Sequence, residues 1–406
     1  MICMASCTGS AQPDLSSLSA AEWQEDFKFL VARVNKSFAG FTPEIREAFD
    51  RESQRLGNEL NNLPPREKIL GMAKLMALLH DGHTEISLVG KSSQFHRYPV
   101  SLYYFGDSLH IVAINEANKE HVGSVVTAFN DVPTAQVFEK IKPYINRDND
   151  IEYITTIPEF MTLPEMLYSL KITDNADELT MTLTKNGKIS RLRLNAITLQ
   201  QFNDQRRVRA FEKSPLYLEN TQQVNWYRFF SEEGTLYLNI RSLFNPDHEP
   251  TVRKLIQSAF TEFDKQNGKR LVVDLRSCRG GNYHNGEPIL EEIKKRAALQ
   301  QPNRVFVLNS RLTFSAASVL TIFMKDKAGA VIVGEVSRTR PNWAQNAESY
   351  VLPNSKLKFD CLDETSTHSP TLGNAQFIPV DQEIKRTFRA YQQGRDEVME
   401  YIFSLP

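Results

Sequence analysis

Ser315 lies where a strand-forming segment gives way to a helix-forming one. Residues 304–310 (RVFVLNS) are rich in β-branched and aromatic side chains, whereas residues 315–326 (SAASVLTIFMKD) place apolar side chains every three or four positions. A helix N-terminus carries unpaired N–H groups and the positive end of the helix dipole, so it stabilises an alkoxide. Serine is also among the commonest N-cap residues. The corner alone therefore fits both a nucleophile and an ordinary helix cap.

A glycine pair follows the predicted buried strand that precedes this corner by one βα unit. Residues 271–285 are LVVDLRSCRGGNYHN, with Gly280 and Gly281 just after the strand end. Backbone without side chains can approach a ligand closely and offer N–H donors. Such a loop could supply one donor of an oxyanion hole beside Ser315, the other being the N–H of Ala316. The alternative is a plain glycine turn between a strand and a helix.

A serine hydroxyl needs a base, and His83 is the preferred candidate among eight histidines. Residues 75–88 (LMALLHDGHTEISL) place it just after a predicted helix end, in an Asp-Gly turn that precedes a strand. Rigid turns hold catalytic side chains well. His284, close to the glycine pair, is the main competitor. A surface turn histidine is the alternative interpretation of His83.

Composition narrows the class of protein. The chain has 406 residues, of which 41% are hydrophobic and 24% are charged, and its net charge is -1. This length suggests two or three domains. The near-neutral balance gives no support to nucleic-acid or membrane-surface binding, and no segment approaches the roughly 20 apolar residues of a membrane helix. We expect a globular protein with no cofactor and no metal site.

The cysteines indicate neither a zinc site nor a disulfide framework. Cys3, Cys7, Cys278 and Cys361 have no CxxC spacing and lie at opposite ends of the chain. The segment MASC followed by a polar Ser/Gln/Pro stretch resembles the end of a bacterial lipoprotein signal with Cys7 as the lipidated residue, although the apolar segment before it is missing. Residues 1–17 are therefore either a lipoprotein tether or a disordered tail.

The pattern along the chain predicts four parts after this tail. Residues 18–95 show helical spacing, with Ser16 or Ser19 as the N-cap, and end in the turn that carries His83. Period-two segments and an Asn-Gly hairpin predict a β-rich module over 96–198. A polar linker covers 199–225. In 226–406, strands predicted at 235–240, 270–275, 304–309 and 330–335 alternate with helices, which indicates an α/β domain around a largely parallel sheet.

Four separated motifs together resemble the tail-specific, or C-terminal-processing, serine peptidases. They are LLHDGHTEI (78–86), VVDLRSCRGGN (272–282), LTFSAAS (312–318) and VIVGEVSRTRPN (331–342). The resemblance implies a ClpP/crotonase-like spiral βαβ catalytic domain and a PDZ-like module over 96–198. It also implies Ser315 as the nucleophile, with oxyanion donors at Gly280 or Gly281 and at Ala316. An extracytoplasmic location, periplasmic or lipid-anchored to a bacterial membrane, is expected.

The family uses two catalytic designs, and the sequence favours one of them. In the first, a lysine downstream of the serine is the base, but the matching position here holds Arg340, which stays protonated and cannot accept a proton. The second design, as in the tricorn core protease, takes a histidine from a segment similar to DGHT. This design carries over onto His83 as general base to Ser315 and then as acid to the leaving amine.

Several positions depart from the family pattern. Cys278 replaces the usual asparagine before the glycine pair, and Arg338 and Thr339 occupy a turn that is usually glycine-rich. These changes affect the segments on both sides of the predicted nucleophile.

The acid that should orient the histidine is also missing. By spacing it falls near Gly373 or Asn374, and neither is acidic. Asp363 and Glu364 lie nearby and are candidate substitutes, with solvated loop acids as the alternative interpretation.

Three hypotheses for function remain open at this stage. The first is a serine endopeptidase that cleaves peptides or unfolded or C-terminal segments of proteins. The second, motivated by the departures, is a catalytically inactive peptide-binding homologue. The third is an acyl-CoA enzyme, because crotonase-like domains share the architecture, although no phosphate-binding feature supports it. A PDZ-like module would bind an extended peptide by strand addition, or serve only as a spacer.

Overall fold

A computed structural model of the chain describes residues 14–89, 95–220, 222–247 and 250–406. The predicted tail, with Cys3 and Cys7, falls almost entirely outside these residues, so its lipidation stays a prediction. Strands of the described part form three sheets. No helix among the described residues is long and apolar enough to cross a membrane.

The N-terminal part consists of three helices and a short strand. They are α1 (Ala20–Ser37), α2 (Pro43–Glu59), α3 (Pro65–Ala77) and β1 (Glu85–Ile86). Ser19 is the N-cap of α1 and forms a capping box with Glu22. Helix α1 buries side chains spaced three or four residues apart, namely Trp23, Phe27, Leu30 and Val34. The turn that carries His83 joins α3 to β1.

The middle part is built on an antiparallel sheet of order β2-β3-β4-β6-β7. Its elements are β2 (Val100–Phe105), β3 (Ser108–Asn115), β4 (Val125–Phe129), β5 (Val132–Pro133), α4 (Thr134–Ile141), α5 (Ile151–Phe160), α6 (Pro164–Ser169), β6 (Glu178–Lys185), β7 (Lys188–Asn195), α7 (Leu199–Asp204) and β8 (Arg207–Arg209). Asn186 and Gly187, both with positive φ, form the predicted hairpin turn between β6 and β7. Residues 96–198 contain strands β2 to β7 together with helices α4 to α6, and the PDZ-like module stays a prediction.

The C-terminal part is an α/β unit around a sheet of order β16-β13-β12-β11-β10-β9. Its elements are β9 (Asn225–Phe230), β10 (Thr235–Ile240), α8 (Val252–Lys265), β11 (Arg270–Asp274), α9 (Pro288–Lys294), β12 (Val305–Asn309), α10 (Ala316–Ala328), β13 (Val331–Gly334), β14 (Ala344–Val351), β15 (Lys358–Thr365), β16 (Gln382–Glu383), α11 (Phe388–Gln392) and α12 (Glu397–Ser404). All neighbouring strands of this sheet pair in parallel except β9 with β10. The four strands predicted from the sequence are confirmed, with ends shifted by at most one residue.

Helices cover both faces of the parallel sheet, which explains why its central strands are apolar throughout. Alternate residues of β10, β11 and β12 pack with α8, α9 and α10 on one face. The intervening residues, including Tyr237, Val272 and Phe306, pack with α12 on the other face. The carboxyl ends of β11 and β12 therefore meet at one edge of a rigid layer.

The parts interlock through the hairpin formed by β14 and β15. Strand β15 pairs antiparallel with β1, and one hydrophobic core joins the N-terminal helices, the middle sheet and this hairpin. Strand β8, within the predicted linker, pairs with β3. These long-range contacts hold the turn of His83 against the C-terminal part, while the predicted domain boundaries stay predictions.

Candidate active site

Ser315 has a strained backbone conformation at the corner between β12 and α10. Its φ is 54° and its ψ is -126°. A non-glycine residue with positive φ is uncommon and outside the extended conformation of an ordinary N-cap. The side chain makes no capping hydrogen bond to the helix. The interpretation of Ser315 as an ordinary cap is therefore not supported, and the strain instead resembles that of a serine at a nucleophile elbow.

The glycine pair of the β11–α9 loop is closely packed, with Gly280 directly against Ser315. A Cβ added at Gly280 would lie 3.0 Å from the Ser315 Cβ and 3.4 Å from its Oγ. A Cβ at Gly281 would lie 2.5 Å from the backbone of Leu243 and Phe244. Both glycines have positive φ, of 121° and 132°. Only glycine fits this close approach of two backbone segments.

Backbone N–H groups converge on this corner without acceptors. The carbonyl of Gly280 accepts from Leu243, which leaves the N–H of Gly281 out of that bridge. No hydrogen-bond acceptor is found within the described part of the chain for the N–H of Gly280, Gly281 or Ala316. The structure thus brings Gly280 and Ala316 next to Ser315, whereas Gly281 packs against the backbone of Leu243 and Phe244.

A buried ion network fixes the base of the glycine loop. The guanidinium of Arg276 donates to Asp274 at 2.6 Å and to both carboxylate oxygens of Asp396 at 2.7 Å. The Ser310 hydroxyl donates to the Arg276 carbonyl at 2.6 Å. Such a network holds its backbone in one arrangement because breaking one pair leaves an uncompensated buried charge.

His83 packs against the residue that precedes Ser315. Its imidazole stacks on the Phe314 ring, with centroids 4.4 Å apart. The adjacent Thr84 hydroxyl accepts from Leu362 of β15 at 2.9 Å, which anchors the turn. No hydrogen bond between His83 and Ser315 is present among the described contacts. Catalytic hydrogen bonds are often long without substrate and tighten only when it binds.

Two buried carboxylates lie beside the imidazole. Asp81 Oδ1 is 3.9 Å from His83 Nδ1, which is buried and has no hydrogen-bond partner among the described residues. Asp148 and Asp81 each place an oxygen within 4.8 Å of a His83 ring nitrogen and of each other. Burial, together with the nearby charge of Asp81, raises the pKa of the Asp148 carboxyl. An imidazolium formed at His83 would relieve this repulsion.

N–H groups of the protein hold both carboxylates in place. Asp81 accepts from Trp343 Nε1 at 2.8 Å and from the His83 N–H at 3.2 Å. Asp148 accepts from the N–H of Gly82 at 2.7 Å and of Arg340 at 3.1 Å. Each of the four carboxylate oxygens is therefore already bonded to an N–H group. We interpret the cluster as a support for the imidazole.

The departures from the family pattern occupy defined positions. The Thr339 hydroxyl accepts from the Ser315 N–H at 3.1 Å, and the Arg338 guanidinium lies 4.3 Å from the Phe314 ring centroid. Arg340 stacks on Trp343, 3.5 Å from its ring centroid.

The cysteine beside the glycine pair is buried. Its burial raises the pKa of the Cys278 thiol to about 12, so this thiol is inert at neutral pH.

The other candidates lie away from the imidazole. His284 is exposed and pairs with Glu287 at 2.9 Å. Asp363 accepts from Asn346, and Glu364 is exposed. No hydrogen bond or ion pair of the described chain connects these acids with His83.

The two positions at which the family spacing places the orienting acid do not reach the imidazole either. The Gly373 carbonyl accepts from Asn342 at 2.9 Å, and Asn374 is exposed. The sequence analysis thus missed both Asp81 and Asp148. Asp81 could have been found, because it stands two residues before His83, but nothing in the surrounding sequence marks Asp148.

Comparison with solved structures shows that the fold is shared with CPAF. The structure of a CPAF variant with one serine replaced by alanine matches with a TM-score of 0.66 and 11% identity, covering 94% of this chain and 96% of that chain. Mature CPAF complexed with lactacystin matches with a TM-score of 0.64 and 12% identity, covering 94% and 97%. At this identity the similarity shows the fold alone.

Other solved structures match with TM-scores below 0.5, which is too low to support an inference about this chain. The photosystem II D1 C-terminal processing protease has a TM-score of 0.42 at 14% identity, covering 90% of this chain and 94% of that chain. The tricorn protease has a TM-score of 0.41 at 11% identity and covers 94% of this chain and 36% of that chain. The tricorn-like histidine arrangement therefore stays a prediction. No protein-family model and no curated protein sequence matches the chain.

Proposed function

We propose that the chain is a serine peptidase that cleaves peptides or unfolded protein segments through an acyl-enzyme. The observation that carries the proposal is the strained Ser315 at a helix N-terminus, facing a glycine loop with unpaired N–H groups. Strain of this kind persists where the surrounding structure enforces it and clusters at functional sites. The fold shared with CPAF is consistent with this activity.

In the acylation step, the Ser315 hydroxyl attacks the carbonyl carbon of the scissile peptide bond. Its proton passes to a ring nitrogen of His83, and the carbonyl oxygen becomes the oxyanion of a tetrahedral intermediate. The N–H groups of Ala316 and of Gly280 or Gly281 donate to this oxygen. The His83 imidazolium then gives its proton to the amine nitrogen as the C–N bond breaks, which leaves an ester on Ser315.

In the deacylation step, His83 removes a proton from water, which attacks the ester carbonyl. The second tetrahedral intermediate uses the same donors, and its collapse returns the proton to the Ser315 oxygen. Asp81 supports both steps because its carboxylate lies beside Nδ1 and stabilises the imidazolium. Asp148 adds a second buried carboxyl group, with an oxygen within 4.8 Å of a ring nitrogen.

A catalytically inactive peptide-binding protein is the second candidate. The observation that favours it is the missing hydrogen bond between His83 and Ser315 among the described contacts. In this case the hydroxyl would lack a proton acceptor even with substrate bound.

Covalent labelling separates the two functions. The purified chain would be incubated with a fluorescent fluorophosphonate and, separately, with unfolded casein. We expect labelling and casein cleavage by the wild type and neither by Ser315→Ala. Ser318→Ala is the matched control, because Ser318 lies one helical turn away and its buried hydroxyl has no partner. Equal activity of the wild type and Ser315→Ala would exclude the proposed nucleophile, and a chain that binds casein without being labelled would be the inactive homologue.

A further inference from the structure

A cavity of about 270 Å³ lies between the middle sheet and the loops that carry the proposed site. It is lined by β2, α5, α7 and β8 on one side and by the glycine loop and the β12–α10 corner on the other. Drug-sized ligand sites span roughly 300–1,000 Å³. The cavity therefore suits one side chain or one chain terminus.

The lining of this cavity is strongly cationic. Four arginines contribute to it, namely Arg97, Arg207, Arg279 and Arg311. Glu159 is the acid among the lining residues. None of the four arginines forms an ion pair with a carboxylate of the described residues, although the chain has many such pairs elsewhere.

Two of these guanidinium groups are buried and form no ion pair with a described carboxylate, although the charges of Glu159 and Glu165 act on Arg97. Arg97 is 2% exposed and donates to the carbonyls of His96 and Leu88, and Arg311 is 5% exposed and donates to Tyr103 and Tyr104. All these acceptors are uncharged. Because arginine does not release its proton, burying it without an anion carries a desolvation cost that a bound carboxylate would offset.

The position of the cavity connects it with the proposed chemistry. Arg279 directly precedes Gly280, and Leu312 lies three residues before Ser315. A peptide whose scissile bond lies at Ser315 therefore passes within reach of the cavity mouth. The exposed Arg279 has no hydrogen bond within the described chain, so its guanidinium is free to turn toward a ligand.

We propose that this cavity, the arginine subsite, binds a carboxylate of the peptide substrate. The inference rests on the proposed peptide-binding function and assigns it a preference for acidic ligands. Arginine pairs with carboxylates through two parallel N–H···O bonds, which gives geometry as well as charge complementarity. The carboxylate belongs to an acidic side chain or to the peptide C-terminus, and the two sources are separated by the test.

The test measures binding on the full chain with Ser315→Ala, so that no ligand is cut. Four pools of fluorescein-labelled short peptides of otherwise identical random composition would carry Glu or Gln at a central position and a free or an amidated C-terminus. Fluorescence anisotropy gives an average affinity for each pool. We expect the Glu pools or the free-acid pools to bind about tenfold more tightly than the Gln amide pool. The tighter pools identify the source of the carboxylate.

Substitutions then assign the effect to the cavity. Arg279→Gln should remove most of the preference without losing an internal contact, and Arg207→Gln should reduce it. Arg206→Gln is the matched control, because this exposed neighbour does not line the cavity and should leave the preference unchanged. Equal affinity of all pools, absence of binding, or equal effects of Arg279→Gln and Arg206→Gln would overturn the subsite.

The binding test and the labelling test can support or overturn the subsite and the peptidase separately. A carboxylate preference that depends on Arg279, in a chain that fluorophosphonate does not label, supports the subsite and overturns the peptidase. Labelling and casein cleavage with equal affinities for all four pools support the peptidase and overturn the subsite.

Discussion

The imidazole of His83 stacks on the phenyl ring of Phe314, with ring centroids 4.4 Å apart and planes inclined by 22°. Phe314 directly precedes Ser315 in the chain. One aromatic ring therefore joins the turn after α3 to the corner before α10, although the two segments are far apart in sequence. This contact holds the turn of the predicted base against the residue that precedes the predicted nucleophile.

The first prediction concerns the base. His83→Gln should lower kcat for casein-derived peptides by about 10²- to 10⁴-fold, because the Ser315 hydroxyl loses its proton acceptor. The rate of fluorophosphonate labelling should fall in parallel. His284→Gln is the control, since His284 is exposed and forms its ion pair with Glu287 at 2.9 Å, away from His83. A larger effect of His284→Gln would identify His284 as the base in place of His83.

The second prediction concerns the carboxylates beside the imidazole. Asp81→Asn should lower kcat by about 10²-fold or more with little change in KM, because it removes the charge that stabilises the imidazolium while an amide oxygen can still accept from Trp343. Asp148→Asn should have a smaller effect, because burial and Asp81 raise the pKa of Asp148 and favour its neutral form.

Steady-state kinetics on both variants, with thermal unfolding to confirm folding, check this order. A change confined to KM, or equal losses that follow the loss of stability, would mean that the pair is only structural.

Much of the fold was accessible from the sequence, because its signals are local. Strands β10 to β13 are short apolar segments separated by amphipathic helices, and such patterns survive packing. The corner at Ser315 and the turn at His83 were found for the same reason. The positive φ of Ser315 could not be predicted in this way, because it depends on the distant glycine loop that packs against Ser315.

Contacts between distant segments could not be predicted from the sequence. Asp148 accepts from Gly82 across 66 residues, and β1 pairs with β15 from the other end of the chain. Neither contact has a local pattern, because each depends on how complete elements pack. The sequence therefore pointed to an acid downstream of Ser315, whereas Asp81 and Asp148, both upstream of it, are the acids that lie beside the imidazole.

The third prediction separates the roles of the two loop glycines. Gly280→Ala should lower kcat by about 10²-fold, because its Cβ would lie 3.0 Å from the Ser315 Cβ and displace an oxyanion donor. Gly281→Ala should mainly destabilise the fold, by about 1–3 kcal/mol or more, because its Cβ would lie 2.5 Å from the backbone of Leu243.

Casein cleavage and chemical unfolding of both variants measure the two effects. Gly187→Ala is the control for positive φ alone, since its φ is 76° and no atom lies within 4 Å of the added Cβ. It should cost roughly 1 kcal/mol and leave activity unchanged. Full activity of Gly280→Ala would remove the glycine loop from the oxyanion hole.

The fourth prediction concerns the pH dependence of stability near the His83 turn. Burial, then the charges of Glu152 and Asp360, raise the pKa of Glu85 from 4.5 to about 7. Asp360 is its partner in the β1–β15 ladder, so two acids face each other there. Above pH 4.5 the unfolded chain loses this proton first, so the free energy of unfolding falls as the pH rises and the loss is complete above pH 7.

The shift corresponds to roughly 3 kcal/mol, which Glu85→Gln should largely remove from the difference between acidic and neutral pH. Urea unfolding at a series of pH values compares the wild type, Glu85→Gln and the control Glu47→Gln, whose glutamate is 80% exposed. The stability of Glu85→Gln should vary less with pH than that of the other two proteins, and the variant should be the most stable of the three at neutral pH. Parallel pH profiles for all three proteins would show that Glu85 ionises normally in the folded chain and would contradict the prediction.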